Sequence, residues 1–366
     1  MKDLDKYPVV TDPSSEILNP KELLDYREAR EDFLSWLLAF GKDPSTATGY
    51  SRDTVLRTAY RTDQFNRWVW QNHGYTTNFT HDHADAYMRE LAFSDKSRTH
   101  KANTQKSLKR YFKWTAYARG SDEWEPAHSF SSSSSPNPRD YLTIEERVRI
   151  REAALEYGSI PAYGGLTPDE RDRWKALLAQ RFGKPKSEVG SEDWDRANGW
   201  KFTSLVWTSL DAGLRPVEVE RAQTTWVDVE NQLLRIPREE SSKNEDNWVV
   251  GLTERTADAL ERWLDEREMY SRYDDTNILW LTREGNPYQT SSLRSLLQRL
   301  CDLADIPYEN RRMSWYAIRH SVGTYMTREE DLAAAQAQLR HKSEQTTMKY
   351  DQTPVEDRRE ALDRMG

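Results

Sequence analysis

The chain has 366 residues, 36% hydrophobic and 31% charged, with 14 Trp, 18 Tyr and 9 Phe, which is enough to build one large or two ordinary cores and excludes a disordered chain. The net charge of −8 gives no global basic field, so any affinity for nucleic acid must come from local clusters, because such fields fade within ~8–10 Å at ordinary salt. The lone cysteine, Cys301, excludes an internal disulfide framework and a cysteine-based zinc site; the absence of long apolar runs and of an apolar leader in MKDLDKYPVV leads us to expect a reducing, cytoplasmic setting.

Residues 1–18 are polar and contain proline, and we expect a loose arm there. From 19 to about 125 the patterns are helical. NPKELLDYREAREDFLSWLLAF opens with an Asn-Pro start. SRDTVLRTAYRTDQFNRWVWQNHG reads as a second helix ending at Gly74, THDHADAYMRELAF as a third, and NTQKSLKRYFKWTAYARG as a fourth, closed by Gly120. These make a small all-α domain. SFSSSSSPNPRD follows, and residues 126–140 read as a Ser/Pro linker.

The second domain, 141–366, opens with LTIEERVRIREAALEYG, in which Thr143 and Glu146 are spaced as a capping box. Residues 158–198 read as an insertion holding one helix, started at Thr167-Pro168. A helix from about 200 to 212 ends at Gly213. WVDVENQLLRIP and NWVVGLT read as short strands, with turns at Asn231 and at SSKNED. Helices resume near 253, 291, 314 and 329, and VEDRREALDRMG forms a short amphipathic helix at the end. The expected fold class is mainly α with a small three-stranded antiparallel sheet.

Several stretches carry chemistry. In a chain with 61 acidic residues, the segment 98–119 has none, yet it holds Arg98, Lys101, Lys106, Lys109, Arg110, Lys113 and Arg119. Lys106, Lys109, Arg110 and Lys113 share one helical face, opposite Tyr111, Phe112 and Trp114. Such a face suits phosphate contacts that add affinity without sequence information. DAGLRPVEVERAQ puts Arg215 at a helix junction with Glu218 on the next turn. SSKNED puts Lys243 at a hairpin tip. RRMSWYAIRHSVGTYM puts Arg319 and His320 on an apolar, aromatic helix, where a charged arginine needs a partner or an anion. Arg311 and Arg312 precede it as further DNA-facing candidates. LRHKSEQTTMKYDQTP places Tyr350 nine residues after His341, in polar company. Two arginines, a lysine and a histidine can clamp one phosphate, a tyrosine hydroxyl can attack it, and the lysine can protonate the departing oxygen.

The ordered set GLRPVEV, a hairpin lysine, YAIRHSVGTYM and LRHKSEQTTMKY resembles the tyrosine recombinases, also called the phage integrase family. The resemblance covers the whole two-domain layout: a helical core-binding domain, then a catalytic domain. It implies Arg215, Lys243, Arg319, His341 and Tyr350 as catalytic residues, with Tyr316, His320 and Glu218 in support and no metal or other cofactor. It implies DNA strand exchange through a 3′-phosphotyrosine at Tyr350 and a Holliday junction, on double-stranded DNA, within a homotetramer whose C-terminal helix docks on a neighbouring subunit. DNA-bending accessory proteins are possible partners in such systems, and no membrane is involved.

Two positions depart from the family pattern. Tyr316 stands where His or Lys is usual, and a phenol with a pKa near ~10 is a poor neutral-pH base, which leaves His341 or His320 for that role. Arg340 stands where glycine is usual, either adding a phosphate contact or marking a different turn. Three other readings fit the same residues: a type IB topoisomerase-like nicking-closing enzyme, a non-catalytic DNA-binding regulator descended from a recombinase, and a helical interaction protein. Acid richness, with more than twice as many arginines as lysines, suits a salt-loving, archaeal host.

Overall fold

A computed structural model describes residues 4–131, 140–238, 240–241, 246–351 and 355–365. The chain divides into two compact units, Met1–Asn137 and Pro138–Gly366. Most described residues are helical, and the strands form a single three-stranded sheet. The expected class is therefore the observed one.

The first unit is built from α1 (Pro20–Ala39), α2 (Arg52–His73), α3 (His81–Phe93) and α4 (Arg98–Arg119). Asn19 caps α1 through a capping box with Glu22, and Pro20 fills the first turn. Helix α4 begins five residues before the expected NTQ start, because Ser97 accepts a hydrogen bond from the His100 amide and caps it there. Phe33, Leu37, Val55, Phe65, Leu108 and Phe112 pack at the centre of this unit. The segment expected to be a loose arm is docked instead. Thr11 and Ser14 donate to the buried Asp63 carboxylate, and Arg30 donates to the Pro8 and Val9 carbonyls. Leu4, Tyr7, Val9 and Val10 pack on the core. The polar residues that made the arm look loose are the ones that satisfy these buried partners.

The second unit contains α5 (Ile144–Glu156), α6 (Pro168–Phe182), α7 (Trp200–Ala212), α8 (Pro216–Arg221), the strands β1 (Val227–Asp228), β2 (Leu233–Ile236) and β3 (Trp248–Gly251), then α9 (Glu254–Arg267), α10 (Thr290–Leu303), α11 (Trp315–Glu329), α12 (Leu332–Gln338) and α13 (Val355–Met365). The sheet order is β1-β2-β3, antiparallel throughout, with Leu234 facing Val227 on one side and Val250 on the other. Gln232 takes the left-handed conformation (φ 55°) in the tight β1–β2 turn. Helix α7 is buried nearly all round, its serines and threonines included, and it is the central post of the unit, packed by α5, α9 and α11. The inserted segment carries its own small core, with Trp174, Leu178 and Trp194 packed on Tyr270 beyond the end of α9. Among the described residues no helix is long and apolar enough to cross a membrane.

Candidate active site

The site forms where the C-terminus of α7, the start of α8, one face of α11 and the loop after α12 meet. Its cleft has a volume of about 210 Å³. Gly213 ends α7 in the left-handed conformation (φ 57°), and a Cβ there would lie 2.6 Å from Leu339. The bare backbone lets the α12 loop close onto the helix end.

Arg215 follows as the N-cap of α8. Glu218 accepts its backbone N–H at 2.8 Å and its Nη1 at 2.6 Å, so local helix capping and the ion pair are one arrangement. The other side of the same carboxylate is held by Arg340, whose Nη2 donates to Glu218 Oε2 at 2.8 Å. Burial alone would raise the Glu218 carboxyl, but the charges of Arg340, Arg215 and Arg319 outweigh it and hold it at about 2. Three guanidiniums against one carboxylate leave the cluster strongly positive, which is the electrostatic signature of an anion site.

Arg319 is buried on α11. It donates to the carbonyls of Gly213 (2.6 Å) and Leu339 and, at 3.0 Å, to His341 Nε2. Burial, reinforced by Arg340 and Arg215, lowers it to about 9, so its charge is uncomfortable without an anion. Because guanidinium only donates, His341 Nε2 accepts, and the ring proton sits on Nδ1, 3.0 Å from Thr347 Oγ1. Burial and then Arg319 push the His341 pKa down to about 3, so the ring is neutral.

Tyr350 is buried, on a short 3₁₀ turn (Met348–Tyr350). Its ring lies parallel to His341, 6.0 Å between centroids, and its hydroxyl is 3.0 Å from His320 Nδ1. Gly323 makes room for it: a Cβ there would lie 2.8 Å from both the Tyr350 ring and Leu339. Polar neighbours in sequence thus conceal a packed tyrosine, seated with Val322 and Leu339. Tyr316, exposed on α11, lines the same cleft with its ring 6.2 Å from His320.

The structure therefore brings Arg215, Glu218, Tyr316, Arg319, His320, His341 and Tyr350 into one neighbourhood. Lys243 lies outside the described residues. Arg340 borders the cleft, but its guanidinium is not offered to a phosphate. Its side chain is fully buried, and its donors all reach protein acceptors: the Ala212, Gly213 and Gln338 carbonyls as well as Glu218. The turn there is left-handed (φ 57°), the conformation that glycine favours, and an arginine adopts it at about 1–2 kcal/mol. Sequence reading missed Thr347, the partner that sets the His341 tautomer, because a threonine in a polar run carries no distinguishing pattern.

The expected DNA-facing cations are spread over both units. On α4, Arg98, Lys106 and Lys109 are exposed. Lys101 donates to the Ala92 and Ser94 carbonyls, Lys113 to those of Gly41 and Lys42, and Arg110 to Thr58 while lying over the Tyr50 ring. In the second unit Arg311 is engaged by Glu146 and the Tyr141 carbonyl, and the Arg312 amide donates to Asp140. In α13, Asp357 pairs with Arg328 of α11 at 3.0 Å.

Known proteins resemble this chain in sequence and in fold. Residues 199–356 match the model of the phage integrase family. The chain is 23% identical over 326 residues to a tyrosine recombinase XerC of Corynebacterium efficiens, covering 88% of this chain and 86% of that one. A XerC of Chlamydia muridarum is 24% identical over 163 residues, covering 44% and 50%. Among solved structures, the XerH site-specific recombinase in a post-cleavage complex with its difH substrate covers 94% of this chain and 88% of its own, at 16% identity and a TM-score of 0.57. The Tn1549 transposon integrase in complex with transposon right end DNA covers 91% and 99%, at 14% identity and a TM-score of 0.53. The family match spans the clustered arginines, histidines and tyrosine, so residues 199–356 form a phage integrase family domain.

Proposed function

We propose that this protein is a site-specific DNA recombinase that cuts and rejoins double-stranded DNA through Tyr350. The observation that carries the reading is the 3.0 Å approach of the Tyr350 hydroxyl to His320 in a cleft shared with Arg215 and Arg319. The two arginines hold the non-bridging oxygens of the scissile phosphate and stabilise the charge that builds in the transition state. Tyr350 Oη attacks phosphorus and gives its proton to His320 Nδ1. The P–O5′ bond breaks as the Oη–P bond forms, leaving a 3′-phosphotyrosine and a 5′-hydroxyl. Lys243 is assigned the proton for the departing 5′ oxygen on the family resemblance of its hairpin-tip position in the sequence.

The partner strand's 5′-hydroxyl then attacks the phosphotyrosine and regenerates Tyr350. The phosphodiester's energy is kept in the intermediate, so the exchange needs no ATP. Two such rounds through a Holliday junction, in a homotetramer linked by its C-terminal helices, complete recombination. His320 takes the proton-transfer role that Tyr316 is ill suited to. His341 acts first as the neutral shelf under the Tyr350 ring. To donate to a phosphate oxygen, His341 must carry its proton on Nε2, which requires Arg319 to turn toward the phosphate. The exposed lysines of α4 add sequence-independent affinity, the acid-rich surface fits a salt-rich cell, and the site of action is the nucleoid.

The test is covalent trapping. Native protein is mixed with nicked duplexes drawn from DNA flanking its gene, at low and high KCl, and quenched in detergent. An adduct that disappears in Tyr350→Phe supports the reading. Tight DNA binding without an adduct at any site or salt would make the protein a DNA-binding regulator instead.

A further inference from the structure

We propose that Arg340 is a positioning residue for the phosphate clamp: it aims Arg215 by holding the far side of the Glu218 carboxylate, and it ties that clamp to the His341 loop. The proposal deepens the recombinase reading and rests on it for its activity measurements.

Arg340 occupies a left-handed turn with a fully buried charge. Both features are unfavourable unless the side chain does something that the glycine suited to this turn could not. Its contacts show what that is. Nη1 donates at 2.7 Å to both the Ala212 and Gln338 carbonyls. Nη2 donates at 3.1 Å to Gly213 and at 2.8 Å to Glu218 Oε2. The guanidinium thus joins the C-terminus of α7, the end of α12 and the acid at the start of α8.

Glu218 is the link to the reaction. One of its oxygens holds Arg215 Nη1 at 2.6 Å, while the Arg340 carbonyl lies 3.5 Å from Arg215 Nη2. Arg215 is therefore held between the side chain that Arg340 fixes and the backbone of Arg340 itself. The next residue in the chain is His341, whose Nε2 meets Arg319. One buried side chain in this way sets the separation of the Arg215 and Arg319 halves of the clamp. No donor of Arg340 is directed at substrate, so its effect must pass through Glu218 and Arg215.

The test compares Arg340→Gly, which suits the turn, with Arg340→Lys, which keeps a charge but cannot bridge the same acceptors. Single-turnover adduct formation on a nicked duplex and equilibrium affinity for that duplex are measured side by side. We expect the rate to fall on the order of 10- to 100-fold in both variants while affinity changes little, because misplacing a clamp affects the reacting geometry more than binding. Millimolar guanidinium should restore part of the Arg340→Gly rate and none of the Tyr350→Phe rate. A native rate in Arg340→Gly, or equal losses of rate and affinity, overturns the proposal.

A second measurement does not need activity. Urea unfolding of the full chain is followed for Arg340→Gly, Glu218→Gln and the double variant. Coupling through the carboxylate predicts that the double variant is more stable than the sum of the two losses implies, by about tenfold or more in the unfolding constant. Additive losses overturn the proposal. If the native protein itself forms no adduct, the recombinase reading fails while this cycle still decides whether Arg340 holds Glu218.

Discussion

His320 Nδ1 and the Tyr350 hydroxyl face each other at 3.0 Å across α11 and the C-terminal 3₁₀ turn. The pairing places an imidazole, the side chain best suited to proton transfer in neutral solution, on the one hydroxyl that the reaction must deprotonate. Tyr316, one helical turn earlier, has its ring 6.2 Å from His320 and is exposed.

His320→Gln should therefore reduce the rate of covalent adduct formation by about 10²- to 10⁴-fold, the usual range for a lost acid–base group, while DNA affinity stays near native. Tyr316→Phe should cost far less. The rates come from quench-flow on a nicked duplex and the affinities from gel shift. If His320→Gln is fast and Tyr316→Phe is slow, the proton goes to the phenol and not to the imidazole.

Much of this was legible in the sequence, for identifiable reasons. Capping signals marked helix starts at Asn19, Thr143 and Thr167, since a cap depends on residues only a few positions apart. The β1–β2 turn and the arginine, histidine and tyrosine boxes were visible in the same way. What could not be read depends on residues far apart in the chain. The arm before α1 looked loose because its partner, Asp63, lies about fifty residues away. For Arg340 the sequence left a phosphate contact and a different turn both open, because nothing nearby in sequence reveals that Glu218, Ala212 and Gly213 consume its donors.

Gly323→Ala tests the seat of Tyr350. Alanine is preferred to glycine inside a helix by ~1 kcal/mol, while overpacking a fitted site costs about 1–3 kcal/mol. The balance is a net loss of up to about 2 kcal/mol, so the melting temperature should fall by several degrees at most. The added methyl must nonetheless displace the Tyr350 ring or Leu339, each 2.8 Å from it. We expect adduct formation to fall much more than stability does. A variant that reacts at the native rate would mean that the tyrosine turn leaves this seat before the chemistry.

The basic helix makes a prediction about salt. Lys106 and Lys109 are exposed, whereas Lys101 and Lys113 are engaged with backbone carbonyls. Replacing Lys106 and Lys109 with Gln should flatten the dependence of log affinity on log KCl by up to ~0.9 for each phosphate no longer neutralised, equally for specific and unrelated duplexes. Lys113→Gln should instead lower the stability of the first unit. An unchanged slope in the Lys106/Lys109 pair would remove α4 from the DNA interface.

Acid should weaken the second unit in two steps. His341 has a folded pKa of about 3 against an ordinary 6.5, so between those values the unfolded chain takes up a proton that the folded site refuses. Its neutral state therefore contributes in full above about pH 6.5, and stability falls as pH drops from there toward 3. Glu218, held at about 2 against an ordinary 4.5, contributes in full above about 4.5 and loses that contribution as pH falls through 2. Unfolding free energies measured from pH 8 to pH 3 should show the upper step flattened in His341→Asn and the lower step flattened in Glu218→Gln. His83 and His100, in the first unit, are also shifted downward by burial, so the difference between variant and native slopes isolates the His341 step. An identical slope between pH 6.5 and 4.5 in His341→Asn would show that the ring accepts a proton in the folded protein. The neutral shelf beneath Tyr350 would then be a charged one, and Arg319 would already have turned away from His341 Nε2, because two donors cannot share that 3.0 Å contact.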